Sequence, residues 1–147
     1  MPYQHLDPDA KAIVDLSNQL AHDDGIEFVG TEHILMAIIR HEKGAGARVL
    51  RDYGLTEDRV RATLEAIMQA QKEDTWVFGR LPGSPHFRNV MALAIDEATQ
   101  MESGSIGSEH LLLALLREKD SAAYQVLTRL GVTLAGCRER VLKILSV

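Results

Sequence analysis

The sequence predicts an all-α protein built from two tandem four-helix repeats related by a pseudo-two-fold axis. The segment at residues 30–35 (GTEHIL) recurs at 107–112 (GSEHLL), and the same offset of 77 residues aligns 7–68 with 84–145 without a gap. Apolar residues recur at the spacing of one helical face, and no stretch alternates with period two, so we predict no sheet. A repeat of this length decides the architecture before any local detail does.

The first helix of each repeat carries a start signal and a stop signal. An N-cap residue precedes a proline at the first helical position, where the missing N–H costs nothing. Glycine or a serine–glycine pair marks the end of the apolar stripe. These signals are Asp7-Pro8 and Ser84-Pro85 at the starts, and Gly25 and Ser103-Gly104 at the ends.

The other three helices of each repeat have signals of the same kind. We predict N-caps at the starts of the second and fourth helices, and a C′ glycine after the short third helix. The predicted caps are Thr31 and Ser108, then Thr56 and Thr133, and the predicted C′ glycines are Gly54 and Gly131.

Charge and composition exclude several classes of partner. The formal net charge is −5, with −6 in residues 1–75 and +1 in residues 76–147. A nucleic-acid-binding domain needs a clustered basic face, so we expect no nucleic-acid partner. The N-terminus has no signal-peptide pattern, no apolar run has the length to cross a bilayer, and a single cysteine forms no intramolecular disulfide. We therefore expect a cytoplasmic protein with no membrane partner.

The linker between the repeats, residues 72–83, is more apolar than a free linker. It contains Trp76 and Phe78 and ends in a proline–glycine turn signal. Two interpretations stay open. The aromatic residues pack back on the repeats, or they form an exposed patch for a partner.

The duplicated Gly-Thr/Ser-Glu-His segment, followed each time by an apolar helix, resembles the GTEHLLL-type motif of the Clp N-terminal (Clp repeat) domain. The resemblance covers essentially the whole chain. It implies one domain over residues 1–147, with repeat 1 at 7–68, the linker at 72–83 and repeat 2 at 84–145.

In that family the domain precedes ATPase rings of the ClpA, ClpB and ClpC type. The resemblance therefore implies a non-catalytic module that binds protein substrates and adaptor proteins for a Clp-type unfoldase or protease. Two alternatives stay open: a stand-alone accessory subunit that docks on the Clp machinery, and a small-molecule-binding or catalytic helical domain.

The resemblance also implies a binding site at the start of each second helix. In ClpC-type members the glutamate of the motif helps bind phosphorylated arginine, which offers a guanidinium to a carboxylate and a phosphoryl group to helix N–H groups. The simpler alternative is that the glutamates only complement the helix dipole. The candidate binding residues are Thr31, Glu32, Ser108 and Glu109.

The remaining residues of the motif, Gly30, His33, Gly107 and His110, are interpreted as structural. One histidine per repeat, with no second ligand four residues on and no cysteine cluster, is a poor zinc site, so we expect no metal. We favour buried, hydrogen-bonded histidines that hold the loop.

We expect no catalysis by this chain and no cofactor. The sequence has neither a phosphate-binding loop nor a nucleophile elbow. Cys137 falls on an apolar helical face, which predicts a core residue. Asp96 and Glu97 are adjacent on a helix and are expected to point in different directions, so they are not an evident acid–base pair.

Overall fold

The structure is a computed structural model. It describes residues 6–23, 25, 29–74 and 84–145, except for the side chains of 68–74 and 84–85. The described helices are α1 Pro8–Asp23, α2 Thr31–His41, α3 Ala45–Asp52, α4 Glu57–Asp74, α5 Ser84–Gln100, α6 Ser108–Arg117, α7 Ala122–Arg129 and α8 Leu134–Leu145.

Four helices fall in each repeat, so the predicted all-α fold of two tandem four-helix repeats is confirmed. Within the described part of the chain there is no strand, and the one bridge joins Leu6 to Ile106 in the parallel sense. That bridge connects the start of α1 to the start of α6, and therefore connects the two repeats.

The two repeats interlock. Within each repeat the first helix packs along the second, α1 on α2 and α5 on α6. Across the repeats, α3 packs against α6 and α8, and α4 packs against α7. The apolar faces of α3, α4, α7 and α8 are therefore buried against the opposite repeat, and the core is shared by both.

The central helices α2 and α6 form the middle of this core. Residues 33–38 of α2 and 110–116 of α6 are all buried. A fully buried Leu or Ile side chain contributes about 1.5–3 kcal/mol relative to an exposed one. Because α6 is apolar nearly all round, it packs on several helices at once, as a core helix does.

Most helix ends follow the predicted signals. Asp7 Oδ1 accepts a hydrogen bond from the amide of Ala10 at 2.8 Å, as an N-cap does. Thr56 and Thr133 accept equivalent bonds at the starts of α4 and α8. After α3 and α7, the chain turns through Gly54 and Gly131, at φ of 79° and 87°.

The end of α5 differs from the prediction. The sequence predicts the stop at Ser103-Gly104, yet the left-handed residue is Glu102, at φ 55°. Its counterpart in repeat 1 is Gly25, at φ 71°. Glu102 donates its amide hydrogen to the carbonyl of Thr99 at 3.0 Å, and Ser103 donates to Ala98 at 2.9 Å. These two bonds close the helix through a residue with a side chain.

Helix α4 continues to Asp74, so the first three residues of the predicted linker are helical. Trp76 and Phe78 lie outside the described residues. The aromatic patch and the boundaries of the two repeats therefore stay predictions. None of the helices in the described ranges has the length and apolar character needed to cross a lipid bilayer.

Candidate binding ledges

Each central helix begins on a glycine N-cap, and we name these two starts the α2 ledge (residues 30–33) and the α6 ledge (residues 107–110). Gly30 and Gly107 have extended backbone, at φ −104° and −109°. Neither needs glycine for its dihedral angles. The glutamate two residues on folds back over each glycine, so that a Cβ there would collide with its carboxylate. A side chain at either glycine would therefore require the carboxylate above it to move.

A histidine closes each ledge from inside. His33 Nδ1 accepts the amide hydrogen of Gly30 at 2.9 Å, and His110 Nδ1 accepts that of Gly107 at 2.9 Å. Both imidazoles are buried. They occupy the third position of the helix, which glutamate or glutamine takes in a capping box. Like those residues, they accept the amide hydrogen of the N-cap residue. The histidines thus set the shape of the ledges.

The imidazole of His110 has an uncommon environment. Burial lowers its pKa, and the negative charges of Glu109, Asp7 and Glu97 oppose that shift. Since Nδ1 accepts a hydrogen bond, the neutral ring carries its proton on Nε2. Nε2 is buried and has no hydrogen-bond partner among the described residues. An unpaired buried polar group of this kind costs roughly 1–3 kcal/mol.

Thr31 and Ser108 were predicted as N-caps, and that prediction is wrong by one position. They are the first residues of α2 and α6, and each is only 1% exposed. Their hydroxyls face the opposite repeat. Thr31 Oγ1 accepts the amide hydrogen of Ala123 at 3.1 Å, and Ser108 Oγ accepts that of Gly46 at 2.9 Å. These side chains join the repeats, and little of them is open to a ligand.

Glu32 and Glu109 lie half-buried at the solvent side of the ledges, in the first turn of their helices. A carboxylate there is stabilised by the positive end of the helix dipole. Of the four candidate binding residues, these two glutamates therefore supply the accessible side-chain chemistry of the ledges. The Glu109 side chain retains 13% exposure.

A second carboxylate, which the sequence pattern does not reveal, lies at the α6 ledge. Asp7 Oδ2 would lie only 2.8 Å from a Cβ placed on Gly107, beside the Glu109 carboxylate. The bridge between Leu6 and Ile106 brings Asp7 there, because Asp7 donates its amide hydrogen to Ile106 at 2.8 Å. The counterpart of Asp7 in repeat 2 is Ser84. Among the described residues, only the α6 ledge therefore has a second carboxylate within 2.8 Å of the Cβ position on its glycine.

A partly buried ionic cluster centred on Glu97 joins α5, α8 and the last residue of α6. Glu97 Oε2 accepts hydrogen bonds from Arg117 at 2.9 Å and from Arg138 at 2.7 Å. Arg117 also donates to Asp96 at 2.8 Å. The expectation that Asp96 and Glu97 point in different directions is wrong, because both reach one guanidinium. Both carboxylates are ion-paired there. These bonds and the two negative charges raise the pKa of Arg117, against the opposing effect of burial.

Cys137 is fully buried in α8, which places it in the core as predicted. Burial raises the pKa of its thiol to about 12, although Arg140 and Arg138 pull the other way. A thiol in that state is inert at neutral pH.

Two clefts open elsewhere on the surface. One of about 530 Å³ lies between α3 and α8, where the Arg140 guanidinium stacks 4.2 Å from the centre of the Tyr53 ring. The other, of about 560 Å³, lies among α2, α3 and α4. Neither cleft includes a residue of a ledge.

The fold and the paired ledges define a duplicated all-α helical-repeat domain. A model of the Clp repeat (R) N-terminal domain matches residues 5–130 and again residues 83–146. The chain belongs to this family.

Several named proteins are similar to this chain over nearly its whole length. It is 33% identical over 137 residues to the chaperone protein ClpB of Oceanobacillus iheyensis. It is 32% identical, also over 137 residues, to the negative regulator of genetic competence ClpC/MecB of Bacillus subtilis. Each match covers 93% of this chain, but only 17% and 16% of those longer proteins.

A solved structure shows the same fold. The N-terminal domain of the caseinolytic protease associated chaperone ClpD from Arabidopsis thaliana superimposes with a TM-score of 0.74, covering 100% of this chain and 98% of that one. The two sequences are 23% identical, so this match bears on the fold alone.

Proposed function

We propose that this chain is a non-catalytic protein-interaction module that binds substrate or adaptor proteins for a Clp-type ATP-driven unfoldase. Membership of the Clp repeat family supports the general role. The observation that carries the proposal is the pair of glutamates, Glu32 and Glu109, held partly buried but solvent-accessible in the first turns of two equivalent helices. The same family membership supports Clp ATPase and protease subunits as proposed partners.

The chemistry of a ledge suits an arginine side chain, with or without a phosphoryl group. A carboxylate can accept two parallel N–H bonds from a planar guanidinium. The first amides of an α-helix have no partner within the helix and lie at its positive end, where a phosphoryl group is stabilised. In the α2 ledge the Glu32 carboxylate now folds over the helix start. Turning outward to a guanidinium would uncover the amides beneath it.

The two ledges differ in charge, and we propose that they take different forms of the ligand. At the α6 ledge a phosphoryl group would meet the carboxylates of both Glu109 and Asp7. A phosphoryl group in contact with two carboxylates is repelled by both, and the repulsion is strong in a partly buried site. At the α2 ledge the carboxylate is Glu32, and the sequence counterpart of Asp7 is Ser84, which has no charge. Phosphoarginine therefore belongs at the α2 ledge, and unmodified arginine at the α6 ledge.

Isothermal titration calorimetry with free phosphoarginine and free arginine tests this assignment. We expect wild-type protein to bind one phosphoarginine, Glu32→Gln to lose that binding, and Glu109→Gln to keep it. Asp7→Ser should add a second phosphoarginine site, and serine still caps α1. Absence of binding of either ligand to the wild type ends the proposal for the ledges. Equal effects of the two glutamine variants contradict only the assignment of ligands.

A further inference from the structure

The cleft between α3 and α8, which we name the α3–α8 cleft, is a small basic region on an acidic protein. Its volume is about 530 Å³. Three cations and two carboxylates line it and give it a formal charge of +1, whereas the whole chain carries −5. A surface of this sign favours an anionic group. The charged residues are Arg48, Arg140, Lys143, Asp52 and Glu139.

The guanidinium of Arg140 is positioned by an aromatic ring. Its central carbon lies 4.2 Å from the centre of the Tyr53 ring, and both side chains are half-buried. A guanidinium that lies over a ring still has N–H groups to donate at its edge. Among the described residues, no oxygen accepts a hydrogen bond from Arg140. Because the stack already restricts the side chain, it loses less freedom when a ligand binds.

A second arginine faces the cleft from the opposite helix. Arg48 lies on α3 and is exposed, and in the described ranges its guanidinium also has no hydrogen-bond acceptor. Arg51, nearly one turn further along α3, differs, because it donates to the carbonyl of Glu42 at 2.8 Å. The α3–α8 cleft therefore brings together two guanidiniums whose donors the described part of the protein does not use.

The equivalent helix pair in the other half of the molecule lacks this arrangement. α4 packs on α7 as α8 packs on α3, so the fold offers the same kind of surface twice. A Cβ on Gly136 would lie 2.5 Å from the Tyr53 hydroxyl oxygen, and this glycine lets the ring lie against α8. The packing of the helices does not itself require the two arginines, the tyrosine or the glycine. The counterparts of Arg48, Tyr53, Gly136 and Arg140 are Gln125, Leu130, Arg59 and Thr63.

We propose that the α3–α8 cleft binds one carboxylate side chain, from an aspartate or glutamate of a partner polypeptide. The guanidiniums of Arg48 and Arg140 donate charge-assisted hydrogen bonds to it from opposite walls. Ile144, half-buried beside them, offers apolar contact to the residue next to the acid.

The two carboxylates of the cleft limit what else the ligand carries. Asp52 and Glu139 are both exposed and repel further negative charge. The residues that flank the bound acid are therefore neutral or basic. A polyanion such as a nucleic acid is excluded by the same repulsion, since it needs a continuous basic surface.

This site is separate from the ledges, because the α3–α8 cleft contains no residue of either one. The inference therefore stands independently of the function proposed for Glu32 and Glu109. A partner that uses both surfaces would present a basic group to a ledge and an acidic group to the cleft.

The test is an NMR titration at low salt with the peptide acetyl-Ala-Leu-Glu-Leu-Ala-amide. We expect saturable shifts of the Arg48 and Arg140 Nε–H signals and of the Ile144 methyl groups. The same peptide with glutamine in place of glutamate should cause none. A peptide with three consecutive glutamates and an oligothymidylate of five nucleotides are the polyanion probes, and both should bind more weakly than the single-glutamate peptide.

Two variants locate the binding. Arg140→Gln should lower the affinity for the single-glutamate peptide at least about fivefold, because it removes a charged donor. Arg88→Gln removes the same charge at an exposed position on α5, outside the cleft, and should leave the affinity unchanged. Unchanged methyl shifts away from the cleft show that each variant is folded.

Four results would overturn the proposal. The glutamate peptide causes no shifts at the cleft, or the glutamine peptide binds as well. Arg140→Gln and Arg88→Gln have equal effects, which would indicate attraction by general charge alone. Either polyanion probe binds more tightly than the single-glutamate peptide, which would make the cleft a polyanion site.

Discussion

The two repeats keep the same carboxylate–imidazole contact while exchanging the residues that make it. In repeat 1, His41 Nε2 on α2 lies 2.8 Å from Asp9 Oδ1 on α1. In repeat 2, His86 Nδ1 on α5 lies 2.6 Å from Glu118 Oε2, just after α6. The offset of 77 residues pairs Asp9 with His86 and His41 with Glu118. The acid and the imidazole have changed sides, and the contact remains.

A second exchange moves a carboxylate between helices. Glu57 at the start of α4 binds two arginines in repeat 1, and Glu97 in the middle of α5 binds the two equivalent arginines in repeat 2. Leu134 stands at the counterpart of Glu57, and Leu20 at the counterpart of Glu97. Helix packing thus fixes where the arginines meet. The carboxylate that joins them can come from either neighbouring helix.

The two carboxylates differ in burial, which should separate their contributions to stability. The Glu97 side chain is 2% exposed and that of Glu57 is 32% exposed. Glu97→Gln removes the buried charge that Arg117 and Arg138 share, and we expect the free energy of unfolding to fall by roughly 2 kcal/mol. This loss of stability is smaller than for a fully buried ion pair, because the side chains of Arg117 and Arg138 are partly exposed to solvent. Urea denaturation measures it.

Glu57→Gln is the matched control, with an expected loss of about 0–1 kcal/mol, as for surface ion pairs. A sharper test moves the carboxylate. Glu97→Leu combined with Leu134→Glu rebuilds the arrangement of repeat 1 in repeat 2, and should recover part of what Glu97→Leu alone removes. A double variant no more stable than that single variant would show that the two carboxylate positions are not interchangeable.

The helix ends predicted correctly from sequence are local, and two of the features that were missed depend on contacts between the repeats. Thr56, Thr133, Gly54 and Gly131 act within a turn of their own helix, so their signals lie in adjacent residues. The contact of Thr31 with Ala123 joins residues 92 positions apart. The approach of Asp7 to the α6 ledge also depends on how the repeats interlock. A periodic pattern contains no information on that packing.

The pH dependence of stability should also distinguish the two ledges. At the α6 ledge, His110 is buried near the carboxylates of Glu109, Asp7 and Glu97. Burial depresses the pKa of His110 in the folded protein. The unfolded imidazole has an ordinary pKa of about 6.5, so below that pH the unfolded chain binds a proton that the folded one does not. The free energy of unfolding should therefore decrease as the pH is lowered below about 6.5. It should level off once the pH is below the pKa of His110 in the folded protein.

His110→Gln keeps an acceptor for the Gly107 amide and removes the titration. We expect its stability to depend less on pH between about 7 and 5, with a difference in slope of at most about 1.4 kcal/mol per pH unit. Urea denaturation across that range measures the slope. His22→Gln, at an exposed position near the end of α1, is the control and should keep the wild-type slope. Identical slopes for His110→Gln and the wild type contradict this account.

The smallest expected effect tests the unequal helix ends after α1 and α5. Gly25 adopts its positive φ without strain, whereas Glu102 at φ 55° pays the steric cost of a Cβ in the left-handed region, about 1 kcal/mol. Glu102→Gly removes that strain but adds freedom to the unfolded chain, so the net gain in stability should be less than about 1 kcal/mol. Thermal and urea denaturation measure it, and Glu102→Gln separates the effect of charge. If Glu102→Gly is the less stable protein, the glutamate makes a compensating contact, and the end of repeat 2's first helix is adapted to its side chain.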